Sequence, residues 1–223
     1  MRAAEQRAKG AQAHVDGRRV RGDQSRRAVL EVAMDLASLE GLEGLSIGRL
    51  AAAVGASKSG VGALFGSKEA LQLSTVAAAR ELFTRRVIDA SRGAPRGLRR
   101  LCTLVKLWFD YSKGRAFPGG CFFQSTAVEF DARPGAVRDA LAQALDDWDD
   151  YLTQSVQMAI DSGELPGLDD ARQLAFEIDA VFNESNNRSL LTGSDAPYER
   201  ALAAIEARLA GLGADREILV LLA

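Results

Sequence analysis

Between Ser46 and Leu71 the chain reads SIGRLAAAVGASKSGVGALFGSKEAL, a stretch with three serines at positions where a helix must begin. A serine there offers its side-chain oxygen to the backbone N–H groups that a first helical turn leaves unpaired. Ile47, Leu50, Ala51 and Val54 follow Ser46 at helical spacing. Gly55 can adopt the left-handed conformation that ends a helix, and Ser57 starts the next one. Gly66 and Ser67 close that second helix near Phe65 and open a third at Lys68. Two short helices across a Gly-containing turn make a helix-turn-helix, whose second helix enters the DNA major groove.

The charge distribution points the same way. The chain of 223 residues has a net charge of −2. Residues 1–100 nevertheless hold eighteen Lys and Arg against ten Asp and Glu, whereas residues 101–223 hold ten against twenty. A basic half that contains the helix-turn-helix, joined to an acidic half, suits a DNA reader coupled to an effector or dimerisation module. Residues 1–22 carry Arg2, Arg7, Lys9, Arg18, Arg19 and Arg21 without apolar periodicity and read as a disordered basic arm. Such an arm either follows the DNA backbone or minor groove, or is an idle extension.

The rest of the pattern is helical throughout. Helix 1 is expected from about Gln24 to Glu40, with Val29, Val32, Ala33, Leu36 and Leu39 as its buried stripe. Helix 4 is expected from Lys68 to about Arg92, and helix 5 from Pro95 to Arg115. A short helix follows to Phe130, then a long one from Pro134 to Ser162. Helices 8 and 9 are expected at Asp169–Leu191 and Pro197–Leu212, and the tail from Glu217 has no clear form. The predicted fold is all-α, with an N-terminal helix-turn-helix three-helix domain at 23–70 and a larger C-terminal helical bundle at 71–223. Nothing approaches the ~18 consecutive apolar residues of a membrane span. The polar N-terminus carries no signal peptide, so the expected location is the cytoplasm, with no membrane partner.

Ser46, Ile47, Leu50, Ala51, Val54, Gly55, Ser57, Lys58, Phe65, Ser67, Lys68, Glu69, Ala70 and Leu71 together resemble the DNA-binding domain of the tetracycline-repressor (TetR) family of bacterial transcription regulators. The resemblance implies a homodimer that binds a double-stranded DNA operator and is released by a small-molecule effector. One departure stands out. The family usually places a tyrosine and a histidine late in the recognition helix, aimed at phosphates, where this chain has Gly62, Ala63 and Leu64. Glycines at 60 and 62 also cost roughly 1 kcal/mol each relative to alanine in a helix interior.

The candidate DNA contacts are Ser46, Ser57, Lys58, Ser59 and Lys68, together with Arg26 and Arg27. The two arginines begin helix 1, where cations oppose the helix dipole unless an anion is expected. An aromatic set in the acidic half is the candidate effector site: Trp108, Phe109, Phe122, Phe123 and Trp148, with Gln124 and Asn183 as orienting groups. Each aromatic taken alone reads better as core, and it is the family resemblance that implies a cavity among them. Ser125, Asn186 and Asn187 are further polar candidates. Leu174, Ile178, Val181, Leu202, Ile205 and Leu209, on helices 8 and 9, are the candidate dimer interface, because so many apolar faces would leave a large exposed patch on a monomer.

Enzymatic chemistry finds little support. The single histidine, His14, falls in the basic arm, which leaves no Ser–His or Cys–His pair within the fold. Asp146, Asp149 and Asp150 share a helix face that a hard cation would suit, but such a run is more often a solvated surface. Cys102 and Cys121 lack metal-ligand spacing and read as reduced thiols. No catalytic residue, metal or cofactor is assigned. A helical enzyme and a DNA-independent partner-binding module are the alternatives to a regulator.

Overall fold

The computed structural model describes residues 22–222, so the predicted basic arm lies almost wholly outside the described residues. Among them there is no strand, and no helix is long and apolar enough to cross a membrane. Helix α1 covers 22–40. It packs Val29, Ala33, Met34 and Ala37 inward. Leu39, expected on that stripe, is 60% exposed, whereas Leu42 and Leu45 from the following turn are buried. Helices α2 (Ile47–Ala53) and α3 (Lys58–Phe65) complete the three-helix unit. Each is capped as its sequence requires: the Ser46 hydroxyl accepts from the Arg49 N–H and the Ser57 hydroxyl from the Gly60 N–H.

Helix α4 (Lys68–Phe83) starts at a third serine cap, Ser67, and leads out of this unit. It does not run on as a regular α-helix. Residues Thr84–Asp89 form a π-helical segment, an arrangement that recurs at functional sites. The C-terminal bundle follows with α5 (Leu98–Lys113), α6 (Phe122–Phe130), α7 (Ala136–Asp161), α8 (Ala171–Thr192) and α9 (Ala196–Gly211). The tail is structured: α10 (Arg216–Leu219) and a 3-10 turn (Val220–Leu222) bury Leu219 and Leu222. Both elements pack on α5. Helices α8 and α9 form an antiparallel pair tied at its rim by Arg208 and Glu177.

That pairing changes the reading of the apolar faces at the chain end. Leu174, Ile178, Ile205 and Leu209 are at most 3% exposed in the single chain. They are buried within this chain's own bundle, where α8 packs on α9 and α7, and are not free to meet a second copy. The stripes expected to need a partner find it within their own chain. Of the residues assigned to a dimer interface, only Val181 and Leu202 remain half-exposed. The large apolar side chains that do face solvent on α8 are Phe176, Leu190 and Leu191, 66%, 38% and 87% exposed.

Candidate DNA interface and effector site

The helix-turn-helix presents a basic groove. Ser46, Lys58 and Lys68 line one concavity of about 460 Å³, together with Glu43, Gly44 and Leu71. Three of the residues assigned to DNA from sequence are thereby brought together, although α2, α3 and α4 each supply one end. Ser57 and Ser59 lie at the exposed N-terminal end of α3, with hydroxyl oxygens 3.3 Å apart. A capping serine accepts through its oxygen and keeps its O–H free to donate to phosphate.

Two of the expected cations are engaged. Lys68 Nζ donates to the Glu43 carboxylate at 2.8 Å and to the Glu43 carbonyl at 2.7 Å. The Lys68 ammonium, and then Gln72, hold the Glu43 carboxyl below its usual range. A phosphate contact by Lys68 therefore requires an exchange of partners. Arg26 differs more sharply from its expected role. Its guanidinium donates to the Leu64 carbonyl at 2.6 Å and the Ser74 hydroxyl at 2.7 Å, and lies over the Phe65 ring at 4.5 Å. It is a strut joining α1 to the end of α3 and to α4, with two of its five N–H donors used inside the protein. Arg27 is exposed.

The aromatic residues of the C-terminal domain pack on one another. Phe83, Tyr111, Phe117, Phe122 and Phe123 form a closed circuit of ring contacts, with centroids 5.4–6.4 Å apart. A second run branches from Phe83 to Trp148 at 5.0 Å and on to Trp108 at 4.6 Å. Trp108 then stacks on Phe182 at 3.8 Å. Trp108, Phe109 and Phe122 are sealed in the core, whereas Phe123, Gln124, Trp148 and Asn183 are half-exposed. The hydroxyl of Tyr111 and the indole N–H of Trp148 are buried without hydrogen-bond partners. Phe83, near the end of α4, joins these rings from outside the acidic half in which the sequence places the aromatic set.

A polar hub sits beside the aromatics. Asn186 Oδ1 accepts from the Ser112 hydroxyl at 2.8 Å and the Cys121 N–H at 3.1 Å, while its Nδ2 donates to Gln124 Oε1 at 2.7 Å. From this hub two links reach the helix-turn-helix unit. The Gly119 N–H donates to the Ser38 hydroxyl at 3.0 Å. At the far end of α6, the Glu129 carboxylate accepts from the Leu42 and Glu43 N–H groups at 2.7 and 3.0 Å. Gly41 makes this possible: its φ is +78°, and a Cβ there would meet the Glu129 carboxylate at 2.5 Å. Helix α6 is thus bound at one end to the hub and at the other to the turn before α2.

Burial pushes both thiols up, Cys102 to about 12 and Cys121 to about 11. Thiolate is the reactive form. Native protein at neutral pH is expected to show no fast-reacting thiol towards a chromogenic disulfide, with two equivalents released after denaturation. A rapid equivalent in the native state would contradict this burial.

These features define a helical protein with a DNA-reading helix-turn-helix fixed to an aromatic-lined C-terminal bundle. The profile described as "Bacterial regulatory proteins, tetR family" matches residues 29–74, and that of the "Tetracyclin repressor-like, C-terminal domain" matches 97–205. The chain belongs to the TetR family of bacterial transcription regulators. Among solved structures, a TetR transcriptional regulator from Chloroflexus aurantiacus is similar at 25% identity and a TM-score of 0.75, over 86% of this chain and 94% of that one. A TetR-family regulator from Agrobacterium tumefaciens matches at 18% identity and a TM-score of 0.74, over 85% and 97%. AibR, solved with isovaleryl coenzyme A and operator DNA, matches at 21% identity and a TM-score of 0.60, over 73% and 86%. No protein of curated function matches the sequence.

Proposed function

We propose that this protein is a homodimeric, cytoplasmic repressor that binds a pseudo-palindromic operator and is released by a small, mostly apolar effector. The observation that carries the DNA reading is the convergence of Ser46, Lys58 and Lys68 on one groove beside the exposed N-terminal end of α3. DNA phosphate would replace Glu43 as the partner of Lys68, and Lys58 would reach a base edge or an adjacent phosphate. Dimerisation would use the outward residues of α8 and α9, among them Phe176, Val181, Leu191 and Leu202. The effector would enter among Phe83, Tyr111, Phe123 and Trp148. AibR, with an acyl thioester and operator DNA on a similar fold, is consistent with this arrangement.

Release requires an effector that fits one arrangement of the two domains better than the other, since equal affinity shifts nothing. Helix α6 is the lever this reading favours beside α4. Phe122 and Phe123 face the aromatics, and Glu129 holds the turn before the DNA-reading helices. A coupling of ~1–3 kcal/mol would lower operator affinity roughly 5- to 150-fold.

The test of the contacts is operator affinity measured across salt concentrations. Lys68→Ala is expected to weaken binding to all sequences and to flatten the salt dependence by about one unit of slope. Lys58→Ala is expected to alter sequence preference as well, by ~1–3 kcal/mol, if it reads a base. An unchanged slope for Lys68→Ala would remove that residue from the interface.

A further inference from the structure

Glu43, in the turn between α1 and α2, has every one of its polar atoms engaged, and the partners come from α4 and α6. Its N–H donates to Glu129 Oε1 of α6 at 3.0 Å, beside the Leu42 N–H, which donates to the other Glu129 oxygen at 2.7 Å. Its carbonyl and one carboxylate oxygen accept from Lys68 Nζ at 2.7 and 2.8 Å. The other carboxylate oxygen accepts from Gln72 Nε2 at 3.1 Å. Gln72 is buried and also donates to the Leu42 carbonyl at 3.0 Å, so the turn is pinned from α4 as well as from α6.

This contact opposes DNA binding. Glu43 lines the same groove as Ser46, Lys58 and Lys68, where its carboxylate would face phosphate. Lys68 opens α4, where an ammonium opposes the helix dipole and an external anion would suit it. It is bound instead through two oxygens of one residue. In a DNA complex Lys68 either stays on Glu43 and gives nothing to phosphate, or leaves it and exposes a carboxylate to the operator. Each course lowers affinity. A half-exposed pair of this kind is worth up to about fivefold in an equilibrium constant, enough to tune operator binding and too little to abolish it.

The Glu129 bonds connect that effect to the C-terminal domain. They fix the peptide that precedes Glu43, and hence the direction in which its carbonyl and side chain point. Gly41 leaves room for them, since a Cβ there would meet the Glu129 carboxylate at 2.5 Å. A shift of α6 therefore moves the partner of Lys68. We infer that Glu43 is a latch on the operator groove: it withholds Lys68 from phosphate, and Glu129 sets how firmly it is held. This rests on the operator reading above and adds a regulatory element within it.

The test is the affinity of the full-length protein for the duplex it selects from a random pool, in a double-mutant cycle of Glu43→Gln and Lys68→Ala. Glu43→Gln keeps the shape, loses the charge, and should tighten binding about three- to fivefold. In the Lys68→Ala background the same change should gain less than about twofold, the remnant of plain repulsion by phosphate. Glu129→Gln offers one accepting oxygen in place of two. It should speed amide hydrogen exchange at Leu42 and Glu43 in the DNA-free protein, and tighten operator binding about twofold while Lys68 is present. Equal gains with and without Lys68, or no gain from Glu43→Gln, would overturn the latch and leave the operator reading standing. Unchanged amide exchange in Glu129→Gln would overturn its control by α6. Selection of no duplex at all would overturn the operator reading and the latch together.

Discussion

Gly119→Ala is expected to destabilise the protein by about 2–4 kcal/mol and to lower Tm by about 5–15 °C. A Cβ at Gly119 would lie 1.9 Å from the Ser38 carbonyl oxygen and 2.3 Å from its carbon. These are backbone atoms of α1, so no side-chain rotation relieves the clash, and either α1 or the 117–120 loop must move. The same shift breaks the Gly119–Ser38 hydrogen bond, one of the links between the helix-turn-helix unit and the hub at Asn186. Operator affinity should fall with stability, because the loop that α1 rests on also leads into α6. Ser38→Ala removes the hydrogen bond alone and should cost only ~1 kcal/mol. A Tm for Gly119→Ala within about a degree of the wild type would mean that the two backbones do not touch in solution.

The second large effect separates the core of α8 and α9 from their outer face. Ile205 is 3% exposed, so Ile205→Asp buries a charge with no partner and should unfold the C-terminal domain, at a cost of several kcal/mol. Circular dichroism should report lost helix. Leu191 is 87% exposed in the single chain, and Leu191→Asp should keep its helical signal and lose less than about 0.5 kcal/mol as a monomer. If α8 and α9 form the dimer contact as proposed, sedimentation should then find Leu191→Asp dissociated yet folded. A folded, dimeric Ile205→Asp would contradict the burial of that side chain in its own chain.

The helix-turn-helix was legible because its signals are local. Ser46, Ser57 and Ser67 cap helices through atoms three residues away, and Gly55 and Gly66 end them by conformation alone. What the residue pattern does not encode is which neighbour an apolar face or a charged group will meet. Leu174, Ile178, Ile205 and Leu209 form apolar stripes whether the facing helix belongs to the same chain or to another. Arg26 reads as a phosphate ligand until Leu64 and Ser74 are placed against it. Asn186 was one polar candidate among several. Its position at the hub depends on contacts with residues 62, 65 and 74 positions away.

Selection of bound duplexes from a random pool tests the central claim most directly. A dimer with two identical reading heads is expected to enrich an inverted repeat whose half-site centres lie about one helical turn or a multiple of it apart. Affinity for that repeat should exceed affinity for unselected duplex by about 10³-fold or more at physiological salt. Enrichment of no sequence, with only a weak binding that salt abolishes, would contradict the reading of this protein as an operator-binding regulator.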